Sequence, residues 1–431
     1  MKDNKTRKNI RHVALLLLAI ASVVLSWIIW TNPARYEHAQ QASSEKVQTN
    51  QITRDMSDVI LPTQIIYTNA KDQQKLINST KKNLAKAMVD ELADWKLTSV
   101  TRVSRSNKER FMDYATMTSS LMLKYPSNIT GKIFNDIYGQ DVDTNAEISQ
   151  IVVNLDKSNE FFLLSDKDYD VYQVKVREQS TTRLQKLVKS QNQAYDVEET
   201  VMNHHLVNSY TNDIKVPYYD FLVNKESSNV FTTNLLANAD ADSIETKKVD
   251  DGTEYLVKDN SKRLLVQNNG KVTYNNFDAE KANNNLKNNI EKGFYQIKQL
   301  GVQVDSMRYF NFHATKRQAE FRDFVDGFPI FNSDGLATIK VTRESKALTT
   351  DFSIYSLDVP VPTSKSDKEL PSTDYILTQL QYSGIDTKKI EDIDIGYQWV
   401  DEPKANATVE LEPTWFIKYR GDWTSYRDLI S

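Results

Sequence analysis

The chain has 431 residues, with 39% hydrophobic and 26% charged side chains but only 11 Gly and 10 Pro; this composition excludes disordered, collagen-like and low-complexity proteins and predicts about three folded domains. It has no Cys, which removes disulfides, thiolate metal sites, iron–sulfur clusters, thiol nucleophiles and a Cys-anchored lipoprotein in one step. A formal net charge of -4 argues against a nucleic-acid partner, which would require a basic face.

That average hides an asymmetry at the N-terminus. Residues 1–12, MKDNKTRKNIRH, set five Lys or Arg against Asp3, a net of +4 that leaves -8 for the remainder. Behind this stub Val13–Trp30 carries no charge, and its polar members are Ser22 and Ser26. At about 1.5 Å per residue the run is roughly 27 Å long, close to the hydrocarbon thickness of a bilayer. Residues 13–31 therefore predict a single transmembrane signal anchor in the cell membrane, with the basic stub cytoplasmic and the bulk of the chain extracytoplasmic. Ala19-Ile20-Ala21 offers a signal-peptidase pattern, but it lies inside an apolar run longer than a signal peptide needs, which favours an uncleaved anchor. At about 100° per residue, Leu15, Ala19, Ser22, Ser26 and Trp30 share one helix face, and its small residues predict a surface for a partner helix. Scattered small residues that merely tolerate lipid are the alternative reading.

Residues 32–57 are polar and lack apolar periodicity, as a tether does. A first α+β domain is expected over 58–208. It begins with a strand at Leu61–Asn69, followed by a helix with Leu84, Met88 and Leu92 on one stripe that ends near Trp95. Further strands follow at 118–125, 147–155, 160–166 and 170–176. A central α+β domain, 209–300, contains a meander punctuated by Asp251-Gly252, Asp259-Asn260 and Asn269-Gly270, then a long helix with Leu286, Ile290, Phe294 and Ile297 on one stripe, stopped by Gly301. The C-terminal α+β domain, 301–431, shows a tight turn at Asp326-Gly327, strands at 336–343 and 350–357, a helix over 373–382 and two closing strands. The fold class is thus α+β: one transmembrane helix, then antiparallel sheets with packed helices. Phe328, Pro329, Phe331, Pro413 and Trp415 are expected to fill the core rather than bind a ligand.

No catalytic, cofactor or metal residues emerge. The five histidines lack metal-ligand spacing, and the adjacent pair His204-His205 points two ways, as surface residues would. H-E-x-x-H, Walker A, G-x-G-x-x-G and G-x-S-x-G are absent. S-x-x-K occurs at Ser43/Lys46 and Ser79/Lys82, without the K-T-G strand that would close a penicillin-binding site. The loop from Asp141 has Ala146 and Val152 where an EF-hand needs Gly and Glu. Asp392 and Asp394 alternate with Ile393 and Ile395, which predicts a solvated strand face rather than a glycosidase pair.

The basic stub, the apolar run ending SWIIW, then LPTQIIY, VPYYDFLVNKESSNVF, EFRDFVDGFPIF, DIDIGYQWV and VELEPTWFIKYRGDW occur in this order over nearly the whole chain, and together they resemble the YycH family. The resemblance implies a non-enzymatic regulator, usually a restraining one, of the WalK (YycG) sensor histidine kinase that controls cell-wall homeostasis in low-GC Gram-positive bacteria. It also implies a complex with that kinase and with the single-pass protein YycI, contact through transmembrane helices in the lipid bilayer, and a YycI-like fold for the last two domains. It implies no cofactor and no nucleic acid. Two other classes stay open on the residues alone: an extracytoplasmic binding module that senses a wall or lipid fragment, and a wall hydrolase or transpeptidase.

Overall fold

Asn83 caps the helix Leu84–Ala93 by accepting a hydrogen bond from the Lys86 N–H at 3.0 Å, and the Leu84, Met88 and Leu92 stripe is buried as its spacing predicts. In the longer helix Leu286–Leu300, Ile290, Phe294 and Ile297 are buried, and Gly301 ends it at φ +70°. The computed structural model describes residues 55–140, 146–177, 179–236, 243–301, 306–400 and 407–431, all within a compact unit spanning 50–431. The expected anchor, its face of Leu15, Ala19, Ser22, Ser26 and Trp30, and most of the tether lie outside the described residues. Among the described residues no helix is long and apolar enough to cross a membrane.

Strands form the rest of the framework. In chain order they are β1 (Gln64–Thr68), β2 (Gln74–Asn78), β3 (Leu97–Ser104), β4 (Ser120–Thr130), β5 (Glu147–Asn154), β6 (Glu160–Ser165), β7 (Asp170–Val176), β8 (Gln193–Met202) and β9 (His205–Tyr210). These nine make one antiparallel sheet in the order β3-β7-β6-β5-β4-β1-β2-β8-β9. The remainder are β10 (Ile214–Val216), β11 (Tyr219–Lys225), β12 (Ile244–Val249), β13 (Gly252–Val257), β14 (Lys262–Gln267), β15 (Lys271–Asn276), β16 (Met307–His313) and β17 (Gln318–Val325). They continue with β18 (Phe328–Phe331), β19 (Thr338–Glu344), β20 (Ala347–Ser353), β21 (Tyr355–Val361), β22 (Lys368–Leu370), β23 (Ile390–Trp399), β24 (Thr408–Tyr419) and β25 (Asp422–Ser425). Apart from the β10–β22 pair they form a second sheet, whose main path is β12-β13-β14-β15-β20-β19-β17-β18-β23-β24-β11-β21.

Two expected domain divisions are bridged by this topology. At 208/209, β9 runs on to Tyr210. At 300/301, strands from either side pair directly, Val272 of β15 opposite Phe352 of β20 and Tyr219 of β11 opposite Leu411 of β24. The cores cross the divisions too. Neighbouring residues on β1 point to opposite faces: Ile65 joins a cluster with Met88, Ile290 and Leu264, while Ile66 joins Ile376, Ile393 and Trp415.

Two glycines permit the close approach of strands here. Asp326 and Gly327, at φ +49° and +81°, form the tight turn between β17 and β18, where a Cβ on Gly327 would stand 3.3 Å from Asn78 Nδ2. Gly396 lies where β18 pairs in parallel with β23, and a Cβ there would come within 2.8 Å of the Pro329 carbonyl oxygen and 2.7 Å of Phe331 Cε2. The five residues expected in the core are buried. Trp415 donates its indole N–H to the Pro371 carbonyl at 3.0 Å and meets the Tyr210 ring edge-on at 5.5 Å.

Candidate functional site

The strand β23 presents Ile393 and Ile395 to the core and thereby turns Asp392 and Asp394 the other way. The expectation of a solvated face fails here, because β23 packs against β8 and β9 of the first sheet and both aspartates are only partly exposed. They line a cavity of about 250 Å³ between the sheets. Lys124 from β4, Asp166 from the turn after β6, His205 and Asn208 from β9, and Lys418 from β24 line it as well.

Each charge reaches this place for a local reason. Lys124 is opposite Gln64 on one side and Gln150 on the other, so a polar row crosses the otherwise apolar middle of the first sheet. Lys418 sits directly across from Asp392 in the β23–β24 ladder. The Asn203-His204 step, at φ +44° and +70°, turns β8 into β9 and separates the two histidines. His204 stays exposed, whereas His205 brings Nδ1 to 3.6 Å from Asp166 Oδ2, so only His204 matches the expected surface role.

The electrostatics follow from burial and spacing. Burial pushes the Glu199 carboxyl, on β8, up to about 7, with Asp392 adding to the effect and Lys124, 3.8 Å away, opposing it. Burial and the neighbouring Asp392 charge likewise raise Asp394 to about 7, although Gln64 donates to its Oδ2 at 2.9 Å. Asp392 is raised by burial despite Lys124, Lys418 and His205. Burial would raise Asp166 as well, but His205, the Ser149 hydroxyl and the Leu206 N–H outweigh it and hold the carboxyl below its usual range. His205 is raised in turn by its bond to Asp166. Two carboxyls that titrate near neutrality, Glu199 and Asp394, thus stand close to Asp166, which stays ionised.

A second buried charge is held between aromatic rings. The Arg322 guanidinium lies 4.8 Å and 4.3 Å from the ring centroids of Phe310 and Phe331, donates to the Ile330 carbonyl at 2.7 Å and pairs with Glu320. Burial acts to raise Glu320, but Arg322, His313 and Lys340 hold it down to about 2. Its neighbours assign this group to packing.

Among the cavity residues, Lys124, Asp166, Asn208 and Lys418 were not singled out from sequence, nor was the neighbouring Glu199. Two of them carried a signal: each lysine stands alone in an apolar strand, TSSLMLKY and WFIKY, and a lysine at such a position needs a partner if the strand is buried.

The architecture and both halves of the chain match a known family. The family model described as YycH protein, N-terminal domain, matches residues 8–194, and that of the YycH protein, C-terminal domain, matches residues 179–429. The two-component system WalR/WalK regulatory protein YycH of Bacillus subtilis (strain 168) is 21% identical over 465 residues, an alignment covering 96% of this chain and 95% of that protein. The crystal structure of YycH from Bacillus subtilis shares the fold, with a TM-score of 0.69 at 18% identity over 87% of this chain and 98% of that one. With two family models joined end to end and a shared fold, the chain belongs to the YycH family.

Proposed function

We propose that this protein is a non-enzymatic, membrane-anchored regulator of a WalR/WalK-type two-component system, and that it restrains the sensor kinase. The observation carrying this reading is the end-to-end correspondence with a WalR/WalK regulatory protein, 96% of one chain against 95% of the other. The N-terminal family match starts at residue 8 and takes in the apolar run, which supports reading that run as an anchor. Lipid tails give helices no hydrophobic drive to associate, so contact with the kinase falls to close packing at small residues, here Ala19, Ser22 and Ser26 between Leu15 and Trp30. A YycI-type single-pass protein completes the complex in this reading, its outer part sharing the fold of residues 209–431. The N-terminus is cytoplasmic and the unit from residue 50 onward extracytoplasmic, in keeping with the basic stub.

The test is copurification of the tagged full chain with the kinase after mild detergent extraction, paired with a WalR-dependent reporter in a deletion strain. Copurification and a rise in reporter output on deletion are expected. No kinase in the eluate together with unchanged output would overturn the reading, and a fall in output would reverse the sign assigned to it.

A further inference from the structure

The cavity between the two sheets is lined by charges of both signs, and its two lysines stand at long range from the groups nearest them. Lys124 Nζ stands 3.5 Å from Asn208 Oδ1 and 3.8 Å from Glu199, and Lys418 stands 4.0 Å from Glu391. These separations exceed the roughly 2.8 Å of a strong charge-assisted bond. On the other side, Asp166 Oδ1 and the Asn208 amide nitrogen have no hydrogen-bond partner, although these residues are only 5% and 2% exposed and both line the cavity. A buried donor and a buried acceptor left open beside one space are costly unless something with complementary groups enters it.

We propose that this cavity binds a small zwitterion of the amino-acid or dipeptide class, its ammonium held by Asp166, Asp392 and Asp394 and its carboxylate by Lys124, Lys418 and the Asn208 amide. Both walls carry both signs of charge, so a ligand with one charge would satisfy the groups of opposite sign and leave the others desolvated. A metal ion is opposed by the two lysine ammonium groups. The size agrees: about 250 Å³ equals the liquid volume of roughly eight waters, which suits a ligand of about ten heavy atoms. Because Lys124, Asp166 and Asn208 come from the first sheet and Asp392, Asp394 and Lys418 from the second, the bound molecule would tie the two together. This inference stands apart from the kinase reading, since binding is measured on the chain alone.

The experiment is isothermal titration calorimetry of the purified full chain in mild detergent. The probes are glycine, alanine and alanyl-alanine, the last two in both enantiomeric forms, with acetate and ethylammonium as single-charge controls. At least one zwitterion should bind saturably, at least tenfold more tightly than either control. Lys418→Gln and Asp392→Asn should each weaken that binding at least tenfold. Hydrogen exchange of the unmodified chain, which needs no substitution, should slow in β9 and β23 when the same probe is added. Saturable heat from none of the zwitterions at 10 mM would overturn the proposal, as would equal binding of acetate or of ethylammonium. Unchanged exchange in β9 and β23 on binding would overturn its location.

Discussion

Glu199→Gln isolates the effect of one buried carboxyl on stability. The Glu199 side chain is fully buried with Lys124 at 3.8 Å, and its pKa is raised from 4.5 to about 7. Between those values the native state holds a proton that the unfolded chain has released, so stability must fall as pH rises through the window and level off above it. At about 1.4 kcal/mol per pH unit, and allowing for partial titration at each end, the loss between pH 5 and pH 8 comes to about 2 to 3 kcal/mol. Glutamine keeps the shape of the protonated acid and does not titrate. The difference between variant and wild type should therefore grow in the variant's favour by that amount over the same range, whatever its value at pH 5. The contribution of Lys124 is already contained in the shifted value, and Asp394, titrating nearby, is common to both proteins. Urea unfolding of the purified chain, followed by tryptophan fluorescence from pH 5 to 8, measures it. Parallel stability profiles for the two proteins would refute the reasoning.

Gly396→Ala places a methyl group against the Pro329 carbonyl and the Phe331 ring and should cost about 1 to 3 kcal/mol in urea unfolding. Trp415→Ala removes a core indole together with its bond to Pro371 and should cost about 3 to 5 kcal/mol, seen as a lower unfolding midpoint. Arg322→Met strands Glu320 without its guanidinium and should destabilise by about 3 to 5 kcal/mol, a loss that adding Glu320→Leu should largely restore. In the proposed anchor, Ser22→Leu combined with Ser26→Leu should reduce kinase copurification while Leu17→Ala and Val24→Ala leave it unchanged; full recovery by the double variant would place the contact on another face.

Local structure was readable wherever one segment carried its own pattern. The helix expected at 373–382 and the strand expected at 170–176 have those bounds, and Gly301 and Asp326-Gly327 turn where their chemistry says they should. β2 and β8 were not anticipated, because QKLIN is short and the exposed positions of QAYDVEETVM blur the alternation. The cavity was less accessible still. Alternation at Asp392 and Asp394 shows that β23 has a polar face, but whether water or another sheet covers that face is decided by residues nearly two hundred positions away. A lone lysine in an apolar strand is the local trace of such a partner, and Lys124 and Lys418 both leave it.

The place of β24 in the second sheet has a consequence for how the molecule matures. It lies between β11 and β23, yet it is made nearly two hundred residues after β11. Until the ribosome delivers it, both neighbours expose a row of unpaired peptide groups, and the nascent chain must wait with half its scaffold open to wrong strands. Pairing across so long a stretch of chain is slow. The growing polypeptide is thus most vulnerable to aggregation late in its synthesis, and a chaperone that shields β11 during that interval would govern the yield of folded protein.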